Sequence, residues 1–211
     1  MDMPANISSL FPSLADTVAK AGAQQVPPER RMVLAPLVAY VQDKTDRGEA
    51  ANLSFICTHN SRRSQLSQVW AQTAAYVHGI PAHCFSGGVE VTAFDGRAVA
   101  SLRRSGFRIT SSEGVNPEHL VFYAAEAPPV RTFSKLFDDP ANLADRFAAV
   151  MTCAHAEENC PFIPGAEQRI PVRYEDPKAF DDTPVEAARY DERSMQIASE
   201  MLYVFSCVLP K

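Results

Sequence analysis

The stretch "LSFICTHNSRRSQLSQVW", residues 53–70, runs apolar up to Cys57 and then turns polar, with Arg63 and Ser64 following after a short loop. A thiol at the end of a strand, next to a loop that opens a helix, is a setting for oxyanion chemistry. Successive backbone N–H groups of such a loop can converge on one centre, and the helix adds its positive N-terminal end. Asn60 suits the tight or left-handed backbone that a curled loop demands. Arg63 carries a planar fork that can grip two oxygens of a phosphate or arsenate and neutralise charge developing during reaction. The same field favours thiolate over thiol. Ser64 could donate a hydrogen bond to the sulfur of Cys57 as nucleophile or leaving group. The candidate anion contacts are therefore Thr58, His59, Asn60, Ser61, Arg62, Arg63 and Ser64. On spacing alone, Cys57 could equally close a buried strand as an inert thiol, because a bare Cys-to-Arg interval arises by chance.

A second pair of thiols sits in "TCAHAEENCPFIPG", where Cys153 and Cys160 are seven positions apart and Pro161 follows. The first ends an apolar run and the second falls in a loop, so one thiol can approach a neighbouring strand end while the other waits nearby. That arrangement suits disulfide exchange. His155 and His59 could join the pair around zinc, but the spacing is not the usual interval of about two to four residues. Two incidental thiols also fit the pattern. Cys84 and Cys207, on an apolar run and in the last helix, read as packing residues.

The elements that must hold these groups follow from periodicity and punctuation. Residues 52–57 and 82–86 read as strands, 63–78 as a helix, and 92–106 as a helix stopping at Gly106. Strand and helix alternating in this way predict an α/β fold with a parallel sheet covered on both faces. Residues 119–125 and 130–137 read as an inserted antiparallel hairpin, and 147–153 as another apolar strand. Residues 154–184, rich in proline and acid and without sustained periodicity, read as a long functional loop or lid. An amphipathic helix over 185–207 closes the chain. Before the sheet, 8–22 and 28–47 read as a helical hairpin with its hinge at "VPPER". The organisation expected is a helical extension over 1–50 packed on a core domain over 51–211.

At 211 residues with a formal charge of −5, the chain is long enough for one compact domain and too acidic to coat nucleic acid or anionic membrane by bulk charge. No segment reaches the roughly 18 apolar residues of a membrane span, and the N-terminus lacks a signal-peptide pattern, so a cytoplasmic location is expected. Five cysteines, an odd number, then read as reduced thiols rather than a structural framework. Six arginines fall between Cys57 and Thr110 against Glu90 and Asp95, whereas residues 157–192 are dominated by acids. This matches an oxyanion site with an acidic cover, or two solvated faces.

The Cys57 to Ser64 stretch resembles the loop of the low-molecular-weight protein tyrosine phosphatase superfamily, which includes true phosphatases and thioredoxin-coupled arsenate reductases. The resemblance spans about residues 52–208 outside the inserted hairpin. It implies a flavodoxin-like sheet, a nucleophilic Cys57 and an anion-binding Arg63. His59 stands where a glycine is usual, and Arg62 where the reductases often carry another cysteine. The Asn159-Cys160-Pro161 run resembles the redox segment of the reductases. That resemblance implies attack by Cys57 on arsenate, resolution by Cys153, then a Cys153–Cys160 disulfide reduced by thioredoxin. In "RYEDPKAFDDTP", Asp176-Pro177 resembles the superfamily's general-acid loop, with Asp181 and Asp182 as local rivals. Lys178 and Ala179 follow where phosphatases carry tyrosines that clamp a phenyl ring. Asn60 and Ser86 match positions that hold potassium in some reductases, but Gln68 replaces an acid there, and no cofactor is assigned. The leading function is arsenate reduction with thioredoxin as partner. Phosphate-monoester hydrolysis using Cys57, Arg63 and Asp176 is the alternative, and a noncatalytic oxyanion-sensing module is a third reading.

Overall fold

The computed structural model describes residues 6–142, 145–159 and 162–210, apart from the side chains of residues 158 and 159. In chain order the elements are helices α1 (Pro12–Gly22) and α2 (Pro28–Asp46), strand β1 (Ala51–Cys57), helix α3 (Arg63–His78), strand β2 (Ala82–Gly88) and helix α4 (Gly96–Arg104). Strands β3 (Arg108–Ser111), β4 (His119–Phe122), β5 (Val130–Thr132) and β6 (Phe147–Met151) come next. Helix α5 (Ala154–Asn159), strand β7 (Ala166–Pro171) and helix α6 (Glu186–Ser206) complete the chain.

The main sheet is parallel, in the order β2-β1-β6-β7. Its chain leaves β1 for β2 on one side and returns to β6 on the other. The carboxyl ends of β1 and β6 therefore flank a topological switch point, the place where open α/β sheets bind ligands. Ile56 lies opposite Met151 in the parallel register, and Thr152 continues it by donating its N–H (2.8 Å) and hydroxyl (2.9 Å) to the Ile56 carbonyl. This register brings Cys57 and Cys153 to adjacent strand ends.

Period-two alternation sorts the strand side chains into two cores. Leu53 and Phe55 of β1 and Ala148 and Val150 of β6 face the larger one, with Leu66, Trp70, Met201 and Phe205 of α3 and α6. Ile56, Cys57, Ala149 and Met151 face the smaller one, covered by Cys153, Ala156 and Ile163, with Val89 and Phe137 packed against it. Leu14, Val18, Leu34 and Leu37 of α1 and α2 are buried in the larger core. Paired charges fasten α2: Arg30 bonds both oxygens of Glu200 (2.8 and 2.6 Å), and Lys44 reaches Glu167 at 2.9 Å. Gly106, with φ of +102°, lets α1 dock closely, since a Cβ there would lie 2.4 Å from the Leu14 nitrogen.

Three expectations need correction. The inserted hairpin is a three-stranded antiparallel sheet, because β3 pairs with β4. Helix α4 begins at Gly96, where the Asp95 side chain accepts the Arg97 N–H and caps it. Residues 154–184 hold more than a loop: α5 and β7 lie there, and β7 is an edge strand of the main sheet. Only Ile170 of β7 is fully buried, so its sequence shows the polar, charged face that edge strands present and not an apolar run. Among the described residues, no helix is long and apolar enough to cross a membrane.

Candidate active site

The loop from Thr58 to Arg62 joins β1 to α3, and every one of its carbonyls is engaged from outside. Thr58 O accepts the N–H groups of Val89 and Glu90, Ser61 O that of Asp95, and Arg62 O that of Leu66. His59 O accepts the hydroxyls of Ser134 (2.8 Å) and Thr92 (3.2 Å), and Asn60 O the amide of Gln65 (3.0 Å). Across a planar trans peptide the C=O and the next N–H point opposite ways. Carbonyls bonded to surrounding elements thus turn the N–H groups of residues 59–63 toward the loop's inner side, as an anion-binding nest requires. Residues 63–65, the open first turn of a 16-residue helix, add more donors.

Asn60 makes this curl possible. Its φ of 46° is left-handed, a conformation that asparagine tolerates better than most residues. Its side-chain oxygen accepts the Lys135 N–H (3.0 Å) and its amide nitrogen donates to Ser64 Oγ (2.9 Å). Because Ser64 Oγ receives that proton, its own hydroxyl hydrogen is left for Cys57 Sγ, 3.0 Å away. The relay therefore ends on the sulfur with a hydroxyl donor. Cys57 itself is buried, with 3% exposure, at the floor of the site.

Gly88, at the end of β2, is pressed against the loop. A Cβ there would meet Asn60 N, Thr58 O and Glu90 O, each at 2.8 Å. All three are backbone atoms that cannot swing aside. Gly88→Ala is expected to cost roughly 1–3 kcal/mol, read as a lower urea midpoint at unchanged slope.

Arg63 and Asp176 meet above the loop. Arg63 Nη2 bonds Asp176 Oδ2 at 2.7 Å, and Nη1 bonds the Tyr174 carbonyl at 3.1 Å. Its Nε is buried without a partner among the described residues, an unmet donor costing about 1–3 kcal/mol unless an acceptor reaches it. Arg62 grips the other oxygen, Asp176 Oδ1, at 2.9 Å and also Asp95 at 3.1 Å. Burial alone would raise the Asp176 pKa, but the charges of Arg63 and Arg62 outweigh it and hold the carboxyl below its ordinary value. Asp176 is thus a carboxylate in this geometry.

A depressed carboxylate stabilises the fold above its unfolded pKa and ceases to do so as pH falls through the folded value. Asp176→Asn is expected to lower stability by roughly 1–3 kcal/mol near neutral pH. The gap from wild type should shrink once pH drops below the ordinary aspartate value of 3.8, as a pH series of urea unfolding curves would measure.

Cys153 stands beside the loop. Its Sγ is 3.5 Å from the hydroxyl of Thr58, the residue following Cys57, and accepts the Ala156 N–H at 3.4 Å. Thr58 also contacts His155 Nδ1 at 3.3 Å, while His59 faces Glu90 at 3.3 Å. Cys57, Cys84, Cys153 and Cys207 are free thiols, and Cys160 lies outside the described residues. Among the described residues, no three His, Cys, Asp or Glu side chains are grouped to hold a metal. Asp181 and Asp182 face Arg97. Cys84 is buried, whereas Cys207 is exposed, contrary to the packing role expected of it. It follows α6 where the helix has already ended. Sequence reasoning missed Gln65, Ser134, Gly88 and the Arg62–Asp95 pair; the Gly87-Gly88 doublet at a strand end was the one local signal.

No family model matches the chain. An arsenate reductase 2 from Staphylococcus epidermidis is 26% identical over 124 residues, covering 58% of this chain and 76% of that protein. An arsenate reductase from Brevibacillus brevis is 28% identical over 123 residues, covering 58% and 74%. Among solved structures, a low-molecular-weight phosphotyrosine phosphatase from Vibrio cholerae aligns with a TM-score of 0.51 at 12% identity, over 74% of this chain and 95% of that one. The chain has the fold of that phosphatase and is similar in sequence to proteins named as arsenate reductases.

Proposed function

We propose that this chain reduces arsenate to arsenite with electrons from its own thiols and is recharged in the cytoplasm by a dithiol protein of the thioredoxin class. One observation carries the reading: a second thiol, Cys153, lies against the loop that cradles Cys57, 3.5 Å from the Thr58 hydroxyl. Sequence similarity to arsenate reductases supports it.

In the first step the Cys57 thiolate attacks arsenic, and one arsenate oxygen leaves as water once protonated, giving a sulfur-bound As(V) adduct. The loop N–H groups and Arg63 neutralise the charge on the remaining oxygens. The Cys153 thiolate then attacks the Cys57 sulfur. An S–S bond forms, the sulfur–arsenic bonding pair departs with arsenic, and arsenite leaves as As(III). Two thiols have given up the two electrons that arsenic gains. Cys160 attacks the Cys153 sulfur, expelling Cys57 as thiolate, and the partner reduces the resulting 153–160 disulfide.

Asp176 is assigned as the proton source. An oxyanion competing for the Arg63 fork loosens the bond that keeps this carboxyl ionised, and its negative charge pushes the Asp176 pKa upward. Substrate binding would thereby load the acid that the first step uses.

The seat of Asp176 on Arg63, within a phosphatase fold, favours a second reading: hydrolysis of phosphate monoesters through a phosphocysteine, with Asp176 protonating the leaving oxygen. Parallel assays separate the two. The protein receives arsenate with thioredoxin, thioredoxin reductase and NADPH in one, and an aryl phosphate alone in the other. Arsenate-dependent NADPH loss supports reduction. Hydrolysis without it assigns the chain to the phosphatases.

A further inference from the structure

We propose that the cavity between β2, α3 and the small antiparallel sheet is a second ligand site, one that takes a small aromatic carboxylate on the ammonium of Lys135. The cavity holds about 280 Å³ and is walled by Phe85, Tyr123, Val130, Arg131, Phe133 and Lys135, among others. No acidic residue is found among those that line it.

Lys135 is the anomaly that points to a ligand. The residue as a whole is 97% buried, with 3% exposure; among the described residues its ammonium makes no hydrogen bond or ion pair, and since the nitrogen is not one of the fully buried atoms left without a partner, it keeps some access to solvent. Instead the nitrogen rests 4.6 Å from the centre of the Phe133 ring. The Arg131 guanidinium lies 5.0 Å from the same ring centre, so two cations crowd one aromatic. An ammonium held largely out of water with no carboxylate in contact, Asp139 and Glu118 acting on it only from longer range, is costly and is ordinarily paired or replaced by an apolar residue. A ring face offsets only part of that cost. Burial, opposed by Asp139 and reinforced by Arg131, pushes the amine down to about 8.

The lining also sets the chemistry of the occupant. Arg131 is already engaged by Glu118, and the side-chain nitrogens of Gln68 and Gln72 are spent on the carbonyls of Cys84, Arg131 and Ala82. One ammonium with no partner in contact is left, which suits one negative charge and not a phosphate dianion. Aromatic and aliphatic walls suit a flat apolar body. The site adjoins the catalytic loop through the Lys135 backbone, whose N–H bonds Asn60 Oδ1 and whose carbonyl accepts the Gly88 N–H at 2.8 Å.

The test titrates 2-naphthoate into the full-length protein while backbone amide shifts of Val130 and Lys135 are followed by NMR, first without and then with an excess of inorganic phosphate. Saturable binding is expected. It should weaken at least about tenfold in Lys135→Met, and by a similar factor when neutral 2-naphthamide replaces the acid on the wild-type protein. The amide comparison keeps the idea testable should the variant fold poorly. Absence of saturation, equal affinity for acid and amide, equal affinity in a folded Lys135→Met, or displacement by phosphate would each overturn the site. None of these readouts requires turnover, so they stand apart from the reaction assigned to Cys57.

Discussion

Cys153→Ser is expected to abolish multiple-turnover arsenate reduction while leaving aryl phosphate hydrolysis within about threefold of wild type. The asymmetry follows from what each reaction asks of the site. A serine oxygen cannot attack the Cys57 sulfur to give a disulfide, so the sulfur–arsenic pair has nowhere to go and As(V) is never reduced. Hydrolysis needs only the Cys57 thiolate, the loop amides, Arg63 and the proton of Asp176, none of which the substitution removes. Cys153 contacts the Thr58 hydroxyl and the Ala156 N–H, and the change to serine adds no charge beside the loop. Coupled NADPH oxidation measures the first activity and aryl phosphate release the second. Sustained reduction by the variant would remove Cys153 from the mechanism.

Arg63→Lys is the second large effect, and it should strike both activities together by about 10²–10³ in kcat/KM. The positive charge survives this change, so the loss would isolate the fork. Arg63 spans the Tyr174 carbonyl and Asp176 with its two terminal nitrogens and still holds a buried Nε in reserve. Lysine offers one compact ammonium that cannot meet two oxygens in a plane. That ammonium, free to pair with Asp176, would also keep the carboxyl ionised. A loss under about fivefold would mean that simple charge suffices and that bidentate geometry contributes little.

Much of this arrangement could be read from the chain because its signals are local. The apolar run into Cys57 and the polar start at Arg63 mark β1, the loop and α3, and the helix spans the residues expected from periodicity. Asn60 was legible as a residue for tight backbone and does take φ of 46°. The remainder was hidden by distance in sequence or by ambiguous composition. Lys135 and Asn60 are 75 positions apart and Arg62 and Asp176 are 114 apart, so no window of sequence contains either pair. Strand β7 escaped because an edge strand carrying Glu167, Gln168 and Arg169 resembles a polar loop. The third strand β3, "RITS", has no fully buried residue and offers little period-two contrast. The nest itself became visible only through the partners of its carbonyls, which come from the segment after β2, from Ser134 just beyond β5 and from the first turns of α3.

Single turnover in a Cys160→Ser protein tests the central claim most directly, because the variant stops the relay after its first disulfide. The reduced protein is mixed with excess arsenate, quenched with acid and alkylating agent, and its peptides are mapped by mass spectrometry beside an arsenite assay. One equivalent of arsenite accompanied by one Cys57–Cys153 disulfide is the predicted result. Arsenite formed while Cys57 and Cys153 both remain alkylatable, or a disulfide formed at the same rate without arsenate, would contradict it.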